Sequence, residues 1–91
     1  MILTERNTGE YRIYAGAMEG IHDDGFIAAV VVCVHRPASC PPREVFRDEA
    51  LACGHRWRTS ESALAFALGK GQEAVAQARD VDRDVFLQKA A

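Results

Sequence analysis

The feature that most constrains this chain is an apolar stripe at helical spacing within residues 57–78. Its members recur at alternating intervals of four and three residues, which places them on one face of an α-helix. Thr59 or Ser60 offers a hydroxyl that can cap the first backbone N–H groups of that helix. The stripe consists of Leu64, Leu68, Gly71, Val75 and Ala78, widened on one side by Ala63, Ala67 and Ala74. We therefore predict a long C-terminal helix lying with this face on a small sheet.

Three segments ahead of the helix have the patterns of strands. Residues 10–18 alternate between an apolar and a mixed face, which is typical of a half-buried strand. Residues 26–35 follow an Asp-Gly turn signal and are β-branched and apolar on both faces, as expected of a central strand. A third strand begins near Glu44, where poor alternation predicts a bulge or an early end near Asp48. The predicted fold class is α+β, with a three-stranded antiparallel sheet packed on one face by the long C-terminal helix.

The pattern divides the chain into three parts. Residues 1–9 lack periodicity and contain a turn-like Asn-Thr-Gly, so we predict a loose leader there. Residues 10–79 form a single βββα domain, with a core drawn from both the helix and the sheet. Residues 80–91 are a charged extension, which overhangs as helix, folds back or frays. Gly71 on the stripe indicates a close approach of helix to sheet, whereas Gly69 has no such explanation.

Composition limits the setting of the protein more than its activity. A net charge of −2 and a pI near 5.9 give no overall attraction to nucleic acid or to anionic membranes. The longest apolar run, residues 26–34, is too short to cross a bilayer, and no signal-peptide pattern opens the chain. An odd number of cysteines, three, favours a reducing compartment. We therefore expect a cytoplasmic protein with no membrane association.

Two Cys-x-His pairs are the residues best suited to metal or thiol chemistry. Cys33 and His35 form one pair, and Cys53 and His55 form the other. If strands two and three form an antiparallel hairpin, the two cysteines are separated by roughly 20 Å at about 3.3 Å per residue. Cys40 lies in a proline-rich loop between them. We therefore predict no metal site, no catalytic residues, no cofactor and no enzymatic activity.

Phe66 is the residue on the helix that the stripe does not explain. At 100° per residue it points about 130° away from the middle of the apolar face, toward solvent. A C-terminal segment folding back with Val85, Phe86 and Leu87 would cover it within the chain. A partner surface formed by Phe66, Val85 and Phe86 is the other interpretation, with a second copy of the chain as the simplest partner. The favoured function is a small non-enzymatic interaction module, as a homodimer through these residues.

The alternative function is nucleic-acid binding through a basic segment around the third strand. Residues 36–58 carry five arginines against three acidic residues, whereas the remaining chain has a net charge of −4. A sheet presenting arginines can lie on phosphates or in a major groove. The other interpretation is an edge strand protected by charge. The nucleic-acid residues would be Arg36, Arg43, Arg47, Arg56 and Arg58.

Two short motifs carry a resemblance to known families. They are Asp24-Gly25-Phe26 before the second strand and Trp57-x-Thr59-x-x-x-Ala63 at the start of the helix. With them, the strand–strand–strand–helix order resembles the DNA-binding domains of plant Apetala-type factors and phage integrase arm-binding modules, and the core of double-stranded-RNA-binding domains. Residues 45–71 also resemble small uncharacterised proteins of Burkholderia-like bacteria. The first resemblance implies nucleic-acid binding, and the second implies a bacterial cytoplasmic setting without an activity.

Overall fold

The fold is a five-stranded antiparallel sheet with one long helix across one face. The computed structural model describes residues 1–20, 24–35 and 42–90, with side chains described as far as Asp80. The class is therefore α+β, as the sequence predicts, with more strands than the three expected. The elements in chain order are β1 (Ile2–Thr8), β2 (Tyr11–Glu19), β3 (Phe26–Val34), β4 (Arg43–Asp48), the short helical turn α1 (Leu51–Gly54), β5 (Arg56–Trp57) and α2 (Ser60–Ala90).

The sheet is an antiparallel meander with β2 and β3 at its centre. Its strand order is β1-β2-β3-β4, and β5 pairs with the end of β3 that β4 leaves unpaired. Thr8 pairs with Tyr11, so a loop of two residues joins β1 to β2. Gly9 opens that loop with φ 61°, a left-handed conformation that a hairpin of this length favours and that glycine adopts without a Cβ clash. This turn fixes the register of β1 on β2.

Residues predicted to form a loose leader form β1 instead. The sheet therefore begins at Ile2 rather than at residue 10, and the domain is longer than predicted. β1 is an edge strand, and most of its side chains are exposed on both faces. Such a strand needs no apolar alternation, which is why its sequence does not show the pattern of a half-buried strand.

The predicted third strand is divided into two pieces by α1. Val30 pairs with Asp48, and Ile27 pairs with Arg56. Seven residues, 49–55, therefore lie between β4 and β5, whereas only two residues of β3, 28 and 29, separate the corresponding pairs. Within this excursion Ala52 and Cys53 have φ 53° and 58°, and the Leu51 side chain is buried in the core. The early end near Asp48 is thus confirmed, and a register shift also occurs between Val32 and Cys33.

The core lies between α2 and the face of the sheet that carries Ile13, Val30 and Val32. The helix contributes mainly small residues, since Ala63 and Ala67 are fully buried whereas the larger Leu64 and Leu68 are only half-buried at its flanks. The expected close approach is confirmed at position 71. A Cβ there would lie 2.5 Å from Cγ2 of Ile13 and 3.2 Å from Cγ2 of Val30, whereas one at Gly69 would meet nothing within 4 Å. The buried apolar side chains are Tyr11, Ile13, Ala15, Ala17, Ala28, Val30, Val32, Val34, Leu51, Ala63, Ala67, Ala74 and Val75.

The start of α2 is fixed by Thr59 and by the aromatic residue before it. The Ser62 backbone N–H donates to Oγ1 of Thr59 at 3.1 Å, which is an N-cap hydrogen bond. Trp57 pairs with Phe26 across β5 and β3 and packs against the core. From there α2 runs unbroken to Ala90, so the charged extension from residue 80 continues the helix. In the part of the chain described, neither helix combines the length and apolarity needed to span a membrane.

Candidate interaction surface

The sheet has a second face on which no described helix packs. We call it the open face. Its side chains come from the alternate positions of the central strands, opposite to those that α2 covers. Those of the central strands are half-buried by their neighbours in the sheet, apart from the buried Gly16, whereas Leu3 on β1 is exposed. The open face consists of Tyr14, Gly16 and Met18 from β2, Ile27, Ala29, Val31 and Cys33 from β3, and Leu3 from β1.

One row across the open face joins opposite charges through an apolar centre. The register pairs Glu5 with Tyr14, Tyr14 with Val31, and Val31 with Arg47. Residues paired in this way point to the same side of an antiparallel sheet. From β1 to β4, the row therefore consists of an acidic, an aromatic, an aliphatic and a basic side chain. Its two ends are about half exposed, since Glu5 has 49% and Arg47 has 51% of its side-chain surface accessible.

Each end of this row carries a local ion pair. On the β1 side, Arg12 Nε lies 3.0 Å from Glu5 Oε1 and donates to Asn7 Oδ1 at 2.9 Å. A hydrogen bond with the Tyr14 side chain raises the pKa of Arg12, and the negative charge of Glu5 raises it further. The charge of Arg12 is therefore held by neighbours that favour the protonated form. Arg47 is the arginine of the ion pair at the β4 margin, as Arg12 is at the β1 margin.

On the β4 side, Arg47 contacts two carboxylates. Its Nε lies 2.5 Å from Glu44 Oε1, and its Nη1 lies 2.7 Å from Glu49 Oε1. The hydrogen bond to Glu44, followed by that to Glu49, raises the pKa of Arg47. Arg47 is thus fixed at the margin of the open face while half of its surface stays accessible.

A third ion pair lies at the end of the open face near β5. Arg56 pairs with Ile27, and its Nε lies 3.2 Å from Asp24 Oδ1. Its Nη1 donates to the Gly54 carbonyl at 2.8 Å. A shallow groove beside Glu19 is lined by both residues, and Arg56 Nε is buried there without a hydrogen-bond partner although the Asp24 carboxylate lies at ion-pair distance. The margin of the open face therefore alternates in charge, with arginines and carboxylates in similar number.

Phe66, the predicted partner-binding residue on α2, lies in an aromatic cluster at the side of the domain. Its ring centroid is 4.8 Å from that of Trp57, and Lys70 Nζ lies 5.6 Å above its ring. His55 contacts Trp57 edge-on, with 4.6 Å between the ring centroids. Trp57 therefore supplies intramolecular cover for Phe66, which is half-buried. Val85 and Phe86, the other predicted partner-binding residues, lie outside the residues whose side chains the structure describes.

The arginines of the nucleic-acid alternative do not share one surface. Arg43 pairs with Val34 and so lies on the helix side of β4, whereas Arg47 lies on the open face. Arg47 and Arg56 contact carboxylates, and Arg58 is exposed between β5 and α2. Arg36 lies outside the described residues. A phosphate backbone approaching the open face would meet Glu44 and Glu49 beside Arg47, which reduces electrostatic attraction.

The Cys-x-His pairs lie in different parts of the domain. Cys33 is half-buried on the open face of β3, whereas Cys53 is exposed in α1. Within residues 1–20, 24–35 and 42–80, no group of three or more histidine, cysteine or carboxylate side chains is placed to hold a metal ion. Cys40 lies outside the described residues. The expectations of no cofactor and no catalytic residue stay predictions.

The sequence pattern does not by itself predict the open face as a surface. Its apolar members are adjacent in β2 and β3, and the alternation of β2 already separates Tyr14 and Met18 from the buried residues. Its charges come from β1 and β4, and only the register brings Glu5 and Arg47 into one row.

No protein-family model, curated protein or solved structure matches this chain. The resemblances to DNA-binding domains and to Burkholderia-like proteins therefore stay resemblances.

Proposed function

We propose that this chain is a small non-enzymatic interaction module that binds a protein on the open face of its sheet. The single observation that carries the proposal is the asymmetry between the two faces. Among the described residues, α2 covers one face, and the other keeps Tyr14, Ile27 and Val31 in contact with solvent. An apolar centre surrounded by charged residues is the usual anatomy of a protein interface.

The composition of the open face supports a protein partner over other classes of ligand. The side chains at its centre are mostly apolar, whereas a small-molecule site places several polar groups around a concavity. The alternating charges of its margin suit a partner of mixed charge. The cytoplasmic setting is part of the same proposal.

The two described cysteines provide an experiment with an internal control. Cys33 lies on the open face and Cys53 lies in α1, away from it. In cells that express the chain, alkylation with iodoacetamide followed by peptide mass spectrometry gives the labelling rate of each thiol. We expect Cys33 to be labelled at least several-fold more slowly in cells than in dilute purified protein, with Cys53 unchanged. Equal rates for Cys33 in both samples would contradict the proposal.

Phe66 is the alternative location for the partner surface. The Trp57 ring covers part of Phe66, so less of the phenylalanine remains for a partner. Substituting Phe66 with glutamate separates the two locations. If the open face is the binding surface, Cys33 protection in cells survives this substitution; if Phe66 is the surface, protection of Cys33 is not expected in either protein.

Nucleic-acid binding through Arg43, Arg47, Arg56 and Arg58 is the second candidate function. The exposure of Arg43 and Arg58 is the observation that favours it. Its signature is affinity for duplex that falls steeply with salt and weakens when Arg58 is replaced by glutamate. Binding that does not depend on salt, or no binding at low salt, would exclude it.

A further inference from the structure

We infer that the partner of the open face is a second copy of this chain, related by a two-fold axis that runs parallel to the strands between β2 and β3. The inference rests on the proposed function and specifies its partner. Facing sheets pack about 10 Å apart with their strands within about 30° of each other. In this arrangement the two α2 helices lie on the outside, and the open faces form the centre of a four-layer dimer.

The charge order of the central row makes the open face self-complementary. A two-fold axis between β2 and β3 exchanges the position of β1 with that of β4, and the position of β2 with that of β3. The row from Glu5 to Arg47 then faces its own reverse. Glu5 of each copy lies opposite Arg47 of the other, and Tyr14 lies opposite Val31. Isologous interfaces require this kind of match between a surface and itself.

The local ion pairs strengthen this match at both margins. Arg12 contacts Glu5, and Arg47 contacts both Glu44 and Glu49. When β1 of one copy faces β4 of the other, these ion pairs form a group of two arginines and three carboxylates. The two-fold axis generates the same group at the opposite margin, so the dimer has two. These ion pairs already exist in the single chain, which leaves fewer side chains to be ordered on association.

The two-fold axis sets each apolar row of the open face opposite the same row of the other copy. Met18 of one copy therefore faces Ile27 of the other. In the neighbouring row Gly16 pairs with Ala29, and Cδ2 of Leu3 lies 3.1 Å from the place that a Cβ of residue 16 would occupy, so the Leu3 side chain covers Gly16. A polyanion would gain nothing from these apolar contacts, and the carboxylates at the margins of the open face would repel it.

Charge reversal at the two ends of the central row tests the inference. In the proposed dimer, Glu5→Arg sets an arginine opposite Arg47 at both margins, and Arg47→Glu sets a glutamate opposite Glu5 at both margins. We expect each single variant to associate roughly tenfold to a hundredfold more weakly than the natural chain, because like charges would face each other. An equimolar mixture of the two variants restores opposite charges at both margins of each heterodimer, so we expect the mixture to associate more tightly than either variant alone. Sedimentation equilibrium of the full chain measures the natural chain and both variants.

The double variant carrying both Glu5→Arg and Arg47→Glu tests whether these two positions face each other across the axis. In its homodimer each margin again joins an arginine to a glutamate, with the two signs exchanged between β1 and β4. We therefore expect it to associate more tightly than either single variant, and the same sedimentation experiment measures this recovery. Association as weak as that of the single variants would contradict the pairing of these two positions across the axis.

Arg43→Glu is the matched control for Arg47→Glu. Both arginines lie in β4 and are exposed, but Arg43 points to the helix side. We expect Arg43→Glu to leave association unchanged. Circular dichroism of every variant verifies that the fold is retained.

Each remaining outcome overturns the inference. A natural chain that keeps the mass of one copy up to millimolar concentration excludes the dimer. An association constant that neither charge reversal changes would assign the contact to another surface, such as the β1 edge. Cys33 labelling in the associated protein that is as fast as in dilute solution would do the same. If the purified chain stays monomeric while Cys33 is protected in cells, the proposed function stands with a different partner. If Cys33 is protected in neither sample, both proposals fail.

Discussion

The two faces of the sheet are built from the same strands yet differ in how far their side chains are buried. On the covered face, Ile13 and Val32 are fully buried beneath alanines of α2, and no polar or charged side chain is buried among the described residues. On the open face, Tyr14 and Val31 stay partly accessible, and ion pairs surround them. The comparison teaches that small residues on α2 bring the helix close to one face, whereas no described helix packs on the other.

The largest expected effect comes from removing the same side chain from each face. Ile13→Ala should lower the free energy of unfolding by about 2–5 kcal/mol, because it empties a fully buried position under α2. Ile27→Ala on the open face should cost only about 1 kcal/mol in the monomer, because that side chain is half-buried. Urea unfolding at low protein concentration measures both. Equal losses would mean that the open face is as well covered as the other.

The next effect compares two glycines on the same helix. Gly71→Ala places a methyl group against Ile13 and Val30, and this overpacking should lower stability by about 1–3 kcal/mol. Gly69→Ala meets open space and should raise stability by about 0.5–1 kcal/mol, because alanine favours the helix. Thermal unfolding of the two variants gives opposite shifts of the midpoint. A gain in both would show that α2 can move away from the sheet at little cost.

A smaller effect concerns how the helical cover begins. Thr59→Ala removes the hydroxyl that accepts the Ser62 N–H, and it should cost about 1 kcal/mol. Ser60→Ala is the matched control and should change stability by less than about 0.5 kcal/mol, as is usual for surface positions. Hydrogen exchange of the first amides of α2 should become faster in the Thr59 variant alone. Faster exchange in both variants would indicate that the cap is shared.

The smallest expected effect is that of Phe66→Glu on self-association. Phe66 rests on Trp57 at the side of the domain, away from the open face. We expect an unchanged association constant by sedimentation equilibrium, with a modest loss of stability from the broken aromatic pair. A switch to single-chain mass would transfer the interface from the open face to α2 and would favour the surface predicted at Phe66.

The central elements of the fold could be predicted because burial leaves a strong signal in them. The alternation of β2, the β-branched run of β3 and the long helix α2 are all confirmed, as is the role of Gly71. Leu64 and Leu68, which the sequence places on the buried stripe, pack against the core but are only half-buried. Contact at Gly71 turns the alanine side of α2 onto the sheet, and this shifts the leucines to the flank.

The peripheral elements and the candidate surface could not be predicted, for two physical reasons. β1 is an edge strand exposed on both faces, and β5 has two residues whose pairing with β3 depends on the excursion through α1. The central charge row depends on register, since Glu5 and Arg47 are 42 positions apart in the chain. A slip of one residue in β1 or β4 would send either charge to the other face.

The cover of the sheet comes from the C-terminal part of the chain, and this has a consequence for synthesis. β1, β2 and β3 are complete by Val34, whereas the part of α2 that buries them ends near Ala78. At about 5–20 residues per second, the ribosome takes roughly 2–9 s to add the intervening segment. During that interval neither face of the nascent meander is covered, because α2 has not yet reached the face that it later buries. Chaperones that hold short apolar segments therefore have a defined time in which to act on this small protein.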